Sequence, residues 1–299
     1  MNLFGNGLGV ALATPFTPAG AIDTPALVRL VRHVVAGGTD FVVALGSTGE
    51  AAMLTEDERD HVVRTVREHV GAARCLVGTG ATATAQTVAW TRRAADLGAD
   101  GALVVVPPYA KPTQTGLVAH FTAVARAAPN LPIVAYNVPS RAGANLLPAT
   151  LAGLWPLPNL VAVKESSGDL QQIGRIAAEL PPGKVLLAGD DPLLLPTIAV
   201  GGTGIVSVAG NVVPQAMARF VAAARRGDLA EARRLNATLL PLFDALAAEP
   251  NPVPIKSALA LAGIADAMPR LPLLPATAST NDRLRAALAA AEAAEATHA

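Results

Sequence analysis

Eight short apolar runs alternate with eight longer amphipathic stretches along this chain, and that alternation limits the fold more than any other feature. The runs are Gly9–Thr14, Asp40–Leu45, Arg74–Thr79, Gly101–Val106, Pro132–Asn137, Leu160–Glu165, Lys184–Gly189 and Gly204–Val208. Between and after them lie Thr24–Ala36, Thr55–Val70, Thr84–Leu97, Gln114–Ala128, Pro148–Leu154, Asp169–Leu180, Asp191–Val200 and Pro214–Arg226. Strands separated by helical crossovers run parallel and need both faces of the sheet covered. Eight such units predict a closed (β/α)8 TIM barrel, an α/β fold, over residues 1–226. An open, doubly wound sheet binding a dinucleotide needs a Gly-x-Gly-x-x-Gly turn, and Gly78-Thr79-Gly80 lacks the third glycine. Residues 227–299 break the alternation. Asp228–Ala248, Pro254–Leu261 and Thr280–Ala296 read as helices of a C-terminal region packed on the barrel.

Composition narrows the function. The chain carries 23 Lys+Arg and 23 Asp+Glu, so no basic face is implied and nucleic acid is a poor partner. Cys75 is the single cysteine, which excludes an internal disulfide and a cysteine metal cluster. Met1–Gly7 lacks a charged segment followed by a long apolar one, and no apolar run has the length of a membrane span. The expectation is a cytoplasmic protein with no membrane partner. Only 15% of residues are charged, which points to extensive contacts between subunits.

In a parallel barrel the active site gathers at the C-terminal ends of the strands. The sixth run delivers Lys164 there, followed by Glu165-Ser166-Ser167-Gly168. A buried lysine tends to lose its proton because burial disfavours the ammonium, and a neutral amine is what attacks a carbonyl to form a Schiff base. A strand-end lysine can instead run its stem along the apolar wall and reach water. The second run ends in Gly46-Ser47-Thr48-Gly49-Glu50, a turn with hydroxyls and amides able to hold a carboxylate, or an ordinary polar loop. Both tyrosines of the chain, Tyr109 and Tyr136, fall at strand ends, where a phenol suits proton relay. Arg141 offers a planar fork for a substrate carboxylate, or a surface ion pair. His33, His61, His69, His120 and His298 avoid the strand ends, show no metal-ligand spacing and read mostly as solvated helix residues. Asp190-Asp191 could attract magnesium, but Pro192 follows, so Asp191 is expected to cap the next helix.

Taken together, Gly46–Glu50, Tyr136–Gly143 and Val163-Lys164-Glu165 resemble the signature segments of the dihydrodipicolinate synthase / N-acetylneuraminate lyase family. Gly189-Asp190-Asp191 and Glu249–Lys256 fit as well, and the similarity runs from about Gly5 to Pro275. The resemblance implies a (β/α)8 barrel working without metal or organic cofactor, often as a homotetramer built from two dimers. It implies that Lys164 forms a Schiff base with pyruvate and that Tyr136 moves protons. Ser47 would link Tyr136 to Tyr109, the latter reaching across from a neighbouring subunit. Thr48, Gly46 and Val206 would contact pyruvate, and Arg141, within Ser140-Arg141-Ala142-Gly143, would bind the carboxylate of aspartate-4-semialdehyde.

The resemblance also leaves branches open. Ser47 stands where most synthases carry threonine, and Ala110 where asparagine is frequent. A pyruvate-dependent aldolase or a keto-sugar-acid dehydratase would keep the same lysine and tyrosine, and a ligand-sensing barrel could keep only the scaffold. The positions matching the family's lysine-inhibition site are Ala51, Glu56, Arg59, Thr82, Gln86 and Pro108. Pro108 replaces an aromatic residue and Thr82 an asparagine, so weak or absent inhibition by lysine is expected.

Overall fold

The computed structural model describes residues 7–296, with side chains described through residue 291. Met1–Asn6 and His298 lie outside the described residues, and so does most of the segment on which the expected lack of a signal rests. Eight parallel strands close into a barrel in the order β1 to β8. They are β1 (Gly7–Ala11), β2 (Phe41–Ala44), β3 (Arg74–Gly78), β4 (Gly101–Val105), β5 (Ile133–Asn137), β6 (Leu160–Glu165), β7 (Val185–Ala188) and β8 (Gly204–Ser207). Pairing of Gly7 with Gly204 and of Gly9 with Val206 closes the ring. Helices α1 (Thr24–Ala36), α2 (Glu56–His69), α3 (Thr84–Asp96) and α4 (Gln114–Ala127) follow the first four strands. Then come α5 (Pro139–Ala142), α6 (Pro148–Leu154), α7 (Leu170–Ala178), α8 (Leu194–Ala199) and α9 (Pro214–Arg225). The C-terminal helices are α10 (Leu229–Leu246), α11 (Val253–Leu261) and α12 (Ala278–Ala296). Among the described residues, no helix is long and apolar enough to cross a membrane.

Period-two alternation sorts the strand residues into two cores. Phe41, Val43, Leu76, Leu103, Val134, Ala162, Leu187 and Val206 fill the barrel interior. The alternate positions face outward. Val104, Ala135 and Val163 meet α4, α6 and α7. Leu8, Val10, Val42 and Ile205 share one apolar cluster with α1, α2 and α9. Leu242, Phe243, Ile255, Leu259 and Leu284 of the C-terminal helices belong to that same cluster, so α10–α12 and the barrel bury one continuous core. Gly9 makes room for the interior: a Cβ there would lie 2.3 Å from the Phe41 ring.

Local signals explain the helix starts. Thr55 and Glu58 form the expected capping box, each side chain accepting from the other's amide, a device worth about 1 kcal/mol. Asp23 caps α1, with Pro25 in its first turn. Three elements differ from expectation. β1 sits two residues earlier, because Leu12 and Ala13 stay buried but leave the strand, Ala13 donating instead to Asn211 Oδ1. The Pro-Ser-Arg turn after β5 winds into α5, started by Pro139 and ended by Gly143 at φ 73°. The stretch after β7 splits into a 3₁₀ turn (Asp191–Leu193) and the short α8.

Candidate active site

Strand register brings the predicted lysine and tyrosine together. Tyr136 pairs with Lys164 across β5 and β6, so both side chains point into the barrel from the same level. Lys164 is only 5% exposed, which excludes the solvent-reaching alternative, and its Nζ lies 4.2 Å from the centre of the Tyr136 ring. Gly189, at the end of β7, makes the space: a Cβ there would lie 3.0 Å from Lys164 Cε and closer still to Ser166 Oγ.

A cavity of about 460 Å³ opens over these strand ends. Gly46, Ser47, Thr48, Tyr136, Arg141, Lys164 and Asp190 line it. A second cavity of about 310 Å³ shares Gly46, Ser47, Tyr136, Arg141 and Asn251 with it. The Gly46–Glu50 turn closes on itself through Gly49 N to Gly46 O and Glu50 N to Ser47 O, and Thr14 Oγ1 donates to Gly49 O. Thr48 is buried and its Oγ1 accepts from Asn251 Nδ2 at 2.9 Å, leaving the hydroxyl proton for a ligand. Arg141, near the C-terminal end of α5, is exposed on the cavity wall and donates to Asn251 O at 3.0 Å.

Two predicted residues lie elsewhere. Val206 is fully buried in the barrel interior beside Tyr136 and is not among the lining residues. Tyr109 is 90% exposed, at φ 71°, on the loop after β4, and lines neither cavity of its own chain. The left-handed backbone at Tyr109 and at Lys111 shapes the projecting loop.

The expected cap at Asp191 is not made. Its carboxylate instead accepts from Ser207 Oγ and from the amides of Val208 and Ala209, tying the end of β7 to the loop after β8. Both oxygens are thereby engaged. His120 also departs from the solvated reading. It is buried on α4, its Nδ1 meets Thr84 Oγ1, and burial pulls its pKa down to about 4.

Further polar side chains surround the site. Burial raises the pKa of Asp190, while the charges of Lys164 and Arg141 oppose the rise. Asn137 and Glu165 pair one step beyond Tyr136 and Lys164 and therefore face outward. Glu165 is buried and accepts from Asn137 Nδ2 and from the Ser167 amide. Asn137 Oδ1 accepts from Leu146 N, anchoring the far end of the segment that carries Arg141. The visible signal was polarity at two outward strand positions where the neighbouring residues are apolar. The positions compared with a lysine-inhibition site are divided in this chain. Ala51 and Pro108 line the second cavity, while Glu56 and Arg59 line a separate one of about 360 Å³ between α2 and α3, where Arg59 stacks on Trp90.

A parallel barrel with a buried lysine amine against a tyrosine ring, under a cavity lined by a hydroxyl-bearing turn and an arginine, fits the class of Schiff-base-forming barrel lyases. A model of the Dihydrodipicolinate synthetase family matches residues 5–291. A 4-hydroxy-tetrahydrodipicolinate synthase of Thermosynechococcus vestitus is 46% identical over 279 residues, 93% of this chain and 94% of that one. The structure of a dihydrodipicolinate synthase from Cyanidioschyzon merolae with lysine bound superposes with a TM-score of 0.94 at 39% identity, covering 98% of this chain and 99% of that one. The Aquifex aeolicus enzyme gives 0.92 at 39%, over 95% and 97%. The chain belongs to the dihydrodipicolinate synthetase family.

Proposed function

We propose that this chain is a 4-hydroxy-tetrahydrodipicolinate synthase, condensing pyruvate with (S)-aspartate-4-semialdehyde in lysine biosynthesis. The observation that carries the reading is the buried Lys164 amine beside the Tyr136 ring on the floor of a cavity that also holds Thr48 and Arg141. The Lys164 amine adds to the ketone carbon of pyruvate, and loss of water leaves an imine. Once protonated, the imine withdraws electrons and makes the adjacent methyl acidic; loss of that proton gives an enamine. The enamine carbon attacks the aldehyde carbon, whose oxygen takes up a proton. Tyr136 is placed to carry protons in these steps, with Ser47 on the same wall. Attack by the amine of the semialdehyde on the former ketone carbon closes the ring and returns the Lys164 amine.

Thr48 and the turn amides hold the pyruvate carboxylate, and Arg141 holds that of the semialdehyde. Two carboxylates need two separate donors, and the cavity offers one at the β2 end and one on α5. Tyr109 acts in a neighbouring subunit. Its exposed phenol matches the second cavity, which opens beside Ser47 and Tyr136 and has the volume to take a side chain. A homotetramer, a cytoplasmic location and weak or absent inhibition by lysine complete the proposal. The α2–α3 cavity and Pro108 favour altered lysine recognition.

A substrate panel tests the reading. With pyruvate fixed, aspartate semialdehyde should be consumed and keto-sugar acids should not. Arg141→Ala should raise the KM for the semialdehyde roughly 10- to 100-fold, as loss of a charged hydrogen bond does. Turnover of keto-sugar acids in place of the semialdehyde, or an unchanged KM in the variant, contradicts it.

A further inference from the structure

The cavity and the catalytic strands leave one buried ionic assembly unused. Glu50, the last residue of the carboxylate turn, is held at φ 53°, a backbone conformation that costs energy for any residue but glycine. Its carboxylate is fully buried and pairs with Lys256 Nζ of α11, itself 1% exposed. Glu50 Oε2 also accepts from the Arg270 amide at 2.8 Å. Lys256 Nζ donates to Met268 O at 2.8 Å and lies 3.8 Å from the centre of the Phe16 ring. The Arg270 guanidinium lies 4.4 Å from the same centroid and donates to Met53 O just beyond the turn. The residue preceding α11's proline start, Asn251, touches Thr48 Oγ1. The C-terminal region thus holds the five-residue turn at its middle, Thr48, through Asn251, and at its end, Glu50, through Lys256 and Arg270.

Buried ion pairs are weak contributors to stability, because desolvation offsets their attraction; their better-attested use is to fix one arrangement among several. Here the arrangement fixed is that of Thr48 and the turn amides. We propose that the Glu50–Lys256 pair is a positioning device that sets the Gly46–Glu50 turn for the carboxylate of the α-keto acid, making the C-terminal helical region part of the pyruvate site. The proposal rests on the functional reading above. Neither residue lines the cavity that holds Lys164, and Glu50 borders the second cavity at the end of the turn.

Three variants separate the possibilities. The readout is the pyruvate concentration that half-saturates trapping of the Lys164 adduct by borohydride, together with the KM values for each substrate. Glu50→Gln keeps the side-chain volume and an oxygen acceptor facing Lys256, whose pKa burial draws down to about 8, and its fold is checked by circular dichroism beside the wild type. In Glu50→Gln and Lys256→Met the half-saturating pyruvate should rise roughly tenfold or more, as small misplacements of binding groups do. The KM for aspartate semialdehyde should stay within about twofold, and Lys256→Arg should recover part of the loss. If Lys256→Met does not fold, Glu50→Gln decides alone. Failure to trap any adduct in the wild type overturns the functional reading and this proposal with it. Trapping in the wild type with the same pyruvate dependence in Glu50→Gln overturns this proposal alone, as does an equal rise in both KM values.

Discussion

Lys164 and Tyr136 could be read from sequence because the strand period dictates direction. An apolar run with a lysine at its end, level with a tyrosine at the end of the preceding strand, leaves few ways to avoid bringing the two together. The same logic does not reach Glu50 and Lys256, whose pairing joins residues 206 positions apart through a turn and a helix that only the closed barrel brings into contact. Nor does it reach Asp191, where the local sequence Asp-Pro favours a cap and the long-range donors Ser207, Val208 and Ala209 win. Three donors at the end of β8 and just after it outweigh the one or two amides that a short 3₁₀ turn presents. For Tyr136 the expected outcome is specific. Tyr136→Phe keeps the ring against Lys164 and removes only the hydroxyl, so kcat should fall about 10²- to 10⁴-fold while pyruvate can still be trapped on Lys164. Steady-state rates and trapping on the same preparation check this; a kcat within about threefold of wild type contradicts a proton-relay role.

At the scale of elements, the (β/α) alternation was legible from apolar period and capping chemistry, and its boundaries were not. Hydrophobicity continues through Leu12 and Ala13 past the end of β1, since both remain buried, with Leu12 N donating to Val43 O and Ala13 N to Asn211 Oδ1. No helix is expected between the fifth run and Pro148, yet Pro139 sits in the first turn of α5, the position in which proline starts a helix. The connector before α12 carries an ionic tether: Arg270 binds Glu58 of α2 bidentately, at 2.7 and 2.5 Å, and also Gly20 O. This hydrogen bonding holds the Glu58 carboxyl down at about 2, from an ordinary 4.5. The folded state then binds fewer protons than the unfolded one across that interval. The tether's contribution is therefore complete above about pH 4.5 and fades as pH falls toward about 2. Urea melts at pH 5 and pH 3 should show a smaller loss of stability in Arg270→Met than in the wild type. An equal loss in both contradicts the tether.

At the scale of the whole molecule, the site is assembled from parts far apart in sequence. β2, β5 and β6 supply the floor and the turn, α5 supplies Arg141, and Asn251 and α11 hold the turn at Thr48 and Glu50. Tyr109, exposed and outside both cavities, is the one proposed catalytic group that a single chain does not bring to its own site. Mixing Lys164→Ala chains with Tyr109→Phe chains and allowing them to reassemble should restore activity that neither parent shows, because some sites then combine an intact lysine with an intact phenol. No recovery after confirmed subunit exchange contradicts action between subunits. Everything else depends on the amine at the end of β6. Borohydride reduction of the intact protein in the presence of pyruvate, followed by whole-chain and peptide mass spectrometry, tests it most directly. The account predicts one reduced pyruvyl group per chain, located on Lys164 and absent from Lys164→Ala; an unmodified chain, or a label on another lysine, contradicts it.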